Sequence, residues 1–120
     1  MGPETVFISQ FALTVKPEKR AEFLSAIAGI IDRTLRLPGC MSCRLSVDCS
    51  DADAYFLTSE WKDYAAFVGF TSSRVQGVLC GMRSLLHVEP RVVLDEVSKR
   101  TEGPLARPPH DELPGPAGQP

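Results

Sequence analysis

Few side chains in this sequence are suited to chemistry: two histidines, four cysteines, and a single tryptophan followed closely by phenylalanines. His87 is the histidine inside the predicted domain, and an imidazole is the side chain best suited to proton transfer near neutral pH. A solitary histidine between a helix and a strand is more often solvated or bonded structurally. His110 lies in the C-terminal segment and carries no argument.

The cysteines include the spacing C-x-x-C, formed by Cys40 and Cys43, which is typical of redox and zinc sites. Both uses require the two sulfur atoms to lie side by side. This segment has the pattern of a strand, in which a separation of three residues places side chains on opposite faces. No second C-x-x-C or histidine pair completes a zinc site. We therefore expect the motif to be accidental and the chain to hold no metal.

The elements that must position these side chains follow from the spacing of apolar residues. An amphipathic helix is predicted from Lys16-Pro17-Glu18 to Pro38-Gly39, and Asp63 is suited to cap a short helix through Phe70, with a helical continuation beyond it. Period-two patterns predict strands at 6–15, 40–49, 55–61 and 88–97. The order β-α-β-β-α-β predicts an α+β, ferredoxin-like domain with a four-stranded antiparallel sheet.

Composition excludes several classes of protein. A formal net charge of −2 and the lack of a basic stripe argue against nucleic-acid binding. No apolar run is long enough to span a membrane, and residues 1–5 lack the features of a signal peptide, so we expect a cytoplasmic protein whose cysteines are thiols. Residues 1–97 form the predicted domain. Residues 98–120 are predicted to be an extended tail, because 103–120 contain six prolines and three glycines.

Several segments occur in an informative order: FALTVKP at 11–17, LPGC at 37–40, FLTSEWKD at 56–63 and AAF at 65–67. Together, residues 6–97 resemble the antibiotic-biosynthesis-monooxygenase family. The resemblance implies a homodimeric α+β barrel, in which two four-stranded sheets pack face to face and helices cover the outside. Such a dimer would explain why the first strand is apolar on both faces, with Phe7 and Phe11 on one and Ile8 and Ala12 on the other.

The family includes cofactor-independent oxygenases that act on quinols and anthrones, so the resemblance implies a small aromatic substrate, O₂ and no cofactor. Trp61 matches the family's tryptophan. The expected substrate pocket consists of Trp61, Phe56, Phe67 and Phe70. The candidate proton acceptors are His87, Tyr64 and Glu60. Many members carry a histidine where this chain has Phe70, which weakens haem binding and histidine-dependent deprotonation as interpretations.

A second hypothesis remains open. The chain would then be a non-catalytic dimer that binds a small hydrophobic ligand or serves as an accessory protein. The missing histidine favours this hypothesis, and a pocket filled by its own phenylalanines would favour it further. The oxygenase hypothesis instead requires a proton acceptor beside the aromatic residues.

Overall fold

The computed structural model describes residues 5–105. Its helices and strands occur in the order that the alternating and helical apolar patterns predict. Short 3₁₀ turns at Pro17–Lys19 and Gly81–Leu85 flank the helical segments. The helices and strands, in chain order, are β1 Val6–Thr14, α1 Arg20–Leu35, β2 Cys40–Asp48, β3 Asp51–Trp61, α2 Tyr64–Thr71, α3 Arg74–Cys80 and β4 Arg91–Val97.

The four strands form one antiparallel sheet in the order β2-β3-β1-β4. β1 is therefore central: Phe7 pairs with Trp61 on β3, and Val6 pairs with Val97 on β4. The predicted α+β, ferredoxin-like fold is confirmed. The dimer stays a prediction, because a single chain is described.

The turn between β2 and β3 is tighter than the predicted loop at 50–53, and β3 begins at Asp51. One Asp48 carboxylate oxygen accepts hydrogen bonds from both the backbone N–H and the hydroxyl of Ser50, each at 2.8 Å. These bonds close the turn within two residues, and they lower the pKa of Asp48 because they favour its charged form.

The fourth strand begins at Arg91, later than the predicted 88–97. Pro90 precedes it, and proline cannot donate a ladder hydrogen bond. β4 lies at the edge of the sheet, as the proline indicated. The helical continuation predicted beyond Phe70 is present as the separate helix α3, which Ser73 caps by accepting a hydrogen bond from the backbone N–H of Gln76.

The core lies between the helices and one face of the sheet, here called the helix face. α1 contributes residues at three- and four-residue spacing, namely Phe23, Ile27, Ile30 and Thr34, which are all buried. β3 contributes every second residue from Tyr55 to Trp61. Among residues 5–105, no helix is both long and apolar enough to cross a membrane.

The other side of the sheet, here called the open face, carries Ile8 and Ala12 of β1 with Phe56 and Glu60 of β3, as the pairing of these strands requires. Residues 98–105 form neither helix nor strand. Within them, Arg100 forms an ion pair with Glu60 at 3.3 Å, which brings the chain after β4 toward this face. The rest of the predicted tail, from residue 106, lies outside the described residues.

Candidate functional site

Six aromatic side chains gather on the helix face at one end of the sheet. Their ring centroids lie 5.3–6.4 Å apart in a connected series, the range in which aromatic rings attract one another. Trp61 and Phe70 are buried, Phe67 and Phe7 are partly exposed, and Tyr64 is 55 % exposed. We call this group the aromatic cluster: Phe7, Phe11, Trp61, Tyr64, Phe67 and Phe70.

Trp61 is the innermost member of the aromatic cluster, at 0 % exposure. Its indole N–H donates a hydrogen bond to the hydroxyl oxygen of Ser9 at 3.0 Å. Phe70 packs against the indole at 5.3 Å between centroids, and Phe67 meets it nearly edge-on at 6.4 Å. The indole is therefore held by contacts on more than one side, and its polar atom is satisfied.

Helix α2 carries three members of the aromatic cluster, and two local features fix its position. The Asp63 carboxylate accepts a hydrogen bond from the backbone N–H of Ala66 at 2.8 Å, which confirms the predicted cap. Gly39 lies directly against Ala66, and its φ of 81° is in the left-handed region. A Cβ atom at position 39 would collide with the side chain of Ala66 on α2.

The predicted site residues do not all lie together in the structure. Trp61, Phe67, Phe70 and Tyr64 lie together in the aromatic cluster. Phe56 and Glu60 lie on the open face instead, where Phe56 pairs with Ala12 and Glu60 with Ile8. The Glu60 carboxylate is engaged by Arg100. Neither residue therefore shares a surface with the Trp61 indole.

His87 lies at the other end of β1 from Trp61. It is exposed, it precedes β4 in a bend, and its backbone N–H donates to the carbonyl of Thr14 at 2.8 Å. Trp61 pairs with Phe7. The strand between Phe7 and Thr14 spans about 23 Å at the usual rise per residue. Of the three predicted proton acceptors, Tyr64 alone lies in the aromatic cluster.

The prediction that Cys40 and Cys43 lie on opposite faces is wrong. A bulge in β2 places Cys40 opposite Trp61 and Cys43 opposite Ser59, so both cysteines lie on the helix face. The extra residue, Met41, breaks the regular alternation on which the prediction rested. Burial raises the pKa of both thiols, and the neighbouring Cys43 further raises that of Cys40. Raised values keep the thiols protonated, which is unfavourable for redox catalysis.

Ser9 was not among the predicted site residues. It shares the face of Phe7 and Phe11 in β1 and is buried, and such a hydroxyl needs a hydrogen-bonding partner. A polar residue within an otherwise apolar face was the available signal. That its partner is Trp61 depends on the pairing of β1 with β3, and local sequence patterns do not determine that pairing.

The fold and the aromatic cluster define an α+β domain with an aromatic region between sheet and helices. The family model for antibiotic biosynthesis monooxygenases matches residues 6–77. The chain therefore belongs to the antibiotic biosynthesis monooxygenase family. The matched segment contains Ser9, Trp61 and all of α2, and it ends before β4.

Solved structures with the same fold come from several organisms. A candidate antibiotic biosynthesis monooxygenase from Deinococcus radiodurans has a TM-score of 0.74 at 18 % identity, covering 80 % of this chain and 96 % of that one. A second candidate monooxygenase, from Nitrosomonas europaea, has 0.69 at 14 % identity, covering 74 % and 95 %. A conserved protein from Methanosarcina mazei has 0.68 at 20 % identity, covering 77 % and 91 %. None of the curated proteins matches the sequence.

Proposed function

We propose that this protein is a cofactor-independent monooxygenase that acts on a small aromatic quinol- or anthrone-like substrate. The observation that carries the proposal is the continuous aromatic cluster, which runs from the exposed Tyr64 ring to the buried Trp61 indole. Flat aromatic substrates stack on such rings. Membership of a family named for monooxygenases supports the reaction type.

The substrate supplies the electrons in this chemistry. Its deprotonated form passes an electron to O₂, one oxygen atom enters the substrate as a new carbonyl, and the other leaves as water. The partly exposed rings of Phe7, Phe67 and Tyr64 form the entrance at which the substrate stacks, and the fully buried Trp61 supports Phe67 from behind. The Tyr64 hydroxyl can accept and donate a hydrogen bond. We assign it as the acceptor of the proton that the substrate loses, while the hydroxyl's own proton passes to solvent, to which Tyr64 is exposed.

The test is enzyme-dependent oxygen uptake with a panel of quinols and anthrones. We expect Tyr64→Phe, which keeps the ring and removes the hydroxyl, to lower kcat/KM by about 10- to 100-fold, at or below the lower end of the range for a lost proton-transfer partner. Glu60→Gln on the open face and His87→Gln at the far end of β1 should stay within about twofold of wild type, because they lie away from the aromatic cluster.

Two results would contradict the assignment of Tyr64. One is full activity of Tyr64→Phe together with loss of activity in His87→Gln or Glu60→Gln. The other is uptake no faster than the spontaneous rate for every substrate with folded wild-type protein, which would favour the non-catalytic, ligand-binding alternative. Circular dichroism of each variant establishes that the fold is retained.

The same proposal includes a homodimer formed through the open face. Ile8, Ala12 and Phe56 lie on this face without a covering helix among residues 5–105 and are each partly exposed. Apolar strand faces of this kind are normally covered. The registers also place Asp95 beside Ile8 and Arg91 beside Ala12. A second copy stacked with its strands reversed brings these opposite charges together.

Sedimentation velocity at micromolar concentration tests the dimer. We expect the wild-type protein to sediment with twice the mass of one chain and Ile8→Arg to sediment as a monomer, because the new charge would be buried in the interface. Val78→Arg is the matched control, since Val78 is an exposed valine on α3 in the helical layer. A monomeric wild-type protein would contradict the dimer.

The described cysteines are free thiols, which fit a reducing compartment. We therefore extend the proposal to a cytoplasmic location.

A further inference from the structure

Two serines lie side by side on the helix face, and they have different partners. Ser9 and Ser59 are paired across β1 and β3, and they are 1 % and 4 % exposed. Ser9 accepts the hydrogen bond from the Trp61 indole at 3.0 Å. Ser59 donates to the sulfur of Cys43 at 3.4 Å. The chain thus provides a natural pair of equally buried hydroxyls, of which one contacts the tryptophan.

The Ser9 hydroxyl fixes a degree of freedom that ring packing leaves open. The tilted contact with Phe70, at 38° between ring planes, and the edge contact with Phe67 hold the indole between two rings. These contacts are largely non-directional compared with a hydrogen bond, which requires near-linear alignment. The bond to Ser9 therefore determines where the N–H edge of the ring points.

We infer that Ser9 is a positioning residue that orients the buried Trp61 indole, on which the substrate-facing ring of Phe67 packs. The inference rests on the proposed oxygenation at the aromatic cluster and adds a residue to it. Ser9 acts through Trp61, so its loss leaves the substrate able to bind at the entrance. A displaced indole instead shifts the Phe67 ring and holds the substrate away from its reactive geometry, and small displacements of that kind slow reaction steeply.

The first arm of the test follows the indole N–H directly. The chain has one tryptophan, so ¹⁵N-labelled protein gives one indole N–H signal. We expect Ser9→Ala to move this signal upfield and to accelerate its exchange with solvent, because the proton loses its acceptor. Ser59→Ala should leave the signal in place. An unchanged signal in Ser9→Ala would overturn the inference without reference to activity.

The second arm separates orientation from binding. For oxygen uptake, we expect Ser9→Ala to lower kcat about tenfold with KM changed less than about twofold, and Ser59→Ala to match wild type. Trp61→Phe removes the N–H, so adding Ser9→Ala to Trp61→Phe should have no further effect on kcat. An equal loss of kcat from Ser9→Ala in both backgrounds would show that Ser9 acts by another route.

Failure of the proposed function is distinguishable from failure of this inference. If the wild-type protein consumes no oxygen with any substrate, the proposed oxygenation is contradicted, and so is the positioning role of Ser9 in it, even if the indole signal responds to Ser9→Ala. If the wild-type protein is active and Ser9→Ala keeps its kcat, the oxygenation stands and the role of Ser9 alone is contradicted.

Discussion

Replacing Trp61 with alanine is expected to lower the free energy of unfolding by about 3–5 kcal/mol, the usual cost of removing a large buried aromatic side chain. Trp61 is fully buried among Phe67 and Phe70, and its removal leaves a cavity beneath α2. The Ser9 hydroxyl also loses its partner in a buried position. Few other single changes in the described chain combine these two losses.

Urea denaturation followed by circular dichroism measures this change, since the variant lacks the fluorescent tryptophan. All proteins should be compared at one concentration, because self-association would add to the apparent stability. Val78→Ala provides the control: this valine is 41 % exposed on α3, and its truncation should cost less than about 1 kcal/mol. A loss below about 1 kcal/mol for Trp61→Ala would be incompatible with the packing described.

The second large effect is expected at Gly39, where alanine should destabilise the protein by about 2–4 kcal/mol. Two costs add. A φ of 81° is unfavourable for any residue with a Cβ, and that Cβ would collide with the side chain of Ala66 on α2. The helix that carries Tyr64, Phe67 and Phe70 would have to move away from the turn.

Gly29→Ala is the matched control for Gly39→Ala, and the opposite sign is expected. Gly29 lies within α1, and a Cβ there would meet nothing within 4 Å. Alanine should therefore stabilise the helix by about 0.5–1 kcal/mol. Combining Gly39→Ala with Ala66→Gly removes the collision and leaves the backbone strain, so the double variant should lose less than the sum of the two singles. Strict additivity would exclude the contact with α2.

Local patterns were sufficient to predict the order of elements. Alternation in β1 and the three- and four-residue spacing in α1 are properties of the elements themselves. Asp63 was predictable as a cap for the same reason, since its partner is three residues away. The bulge at Met41 was not predictable, because it depends on how β2 pairs with β3, and one inserted residue reversed the expected placement of Cys40.

The aromatic cluster was predicted in part. Trp61, Phe67 and Phe70 do lie together, since a strand and the helix that directly follows it bring them close. Glu60 could have been separated from Trp61 by sequence alone, because consecutive strand residues point to opposite faces. The distance from His87 to Trp61 could not, because it depends on the order of strands in the sheet.

The central position of β1 also determines when the domain can fold during synthesis. β1 leaves the ribosome first, yet its partner β4 is the last strand of the sheet. At about 5–20 residues per second, roughly 4–16 s separate the two strands, and during that time one edge of β1 is unpaired. An exposed edge of this kind can pair with another nascent chain. Release of Val97 from the ribosome therefore marks the first moment at which the sheet can close along its whole length.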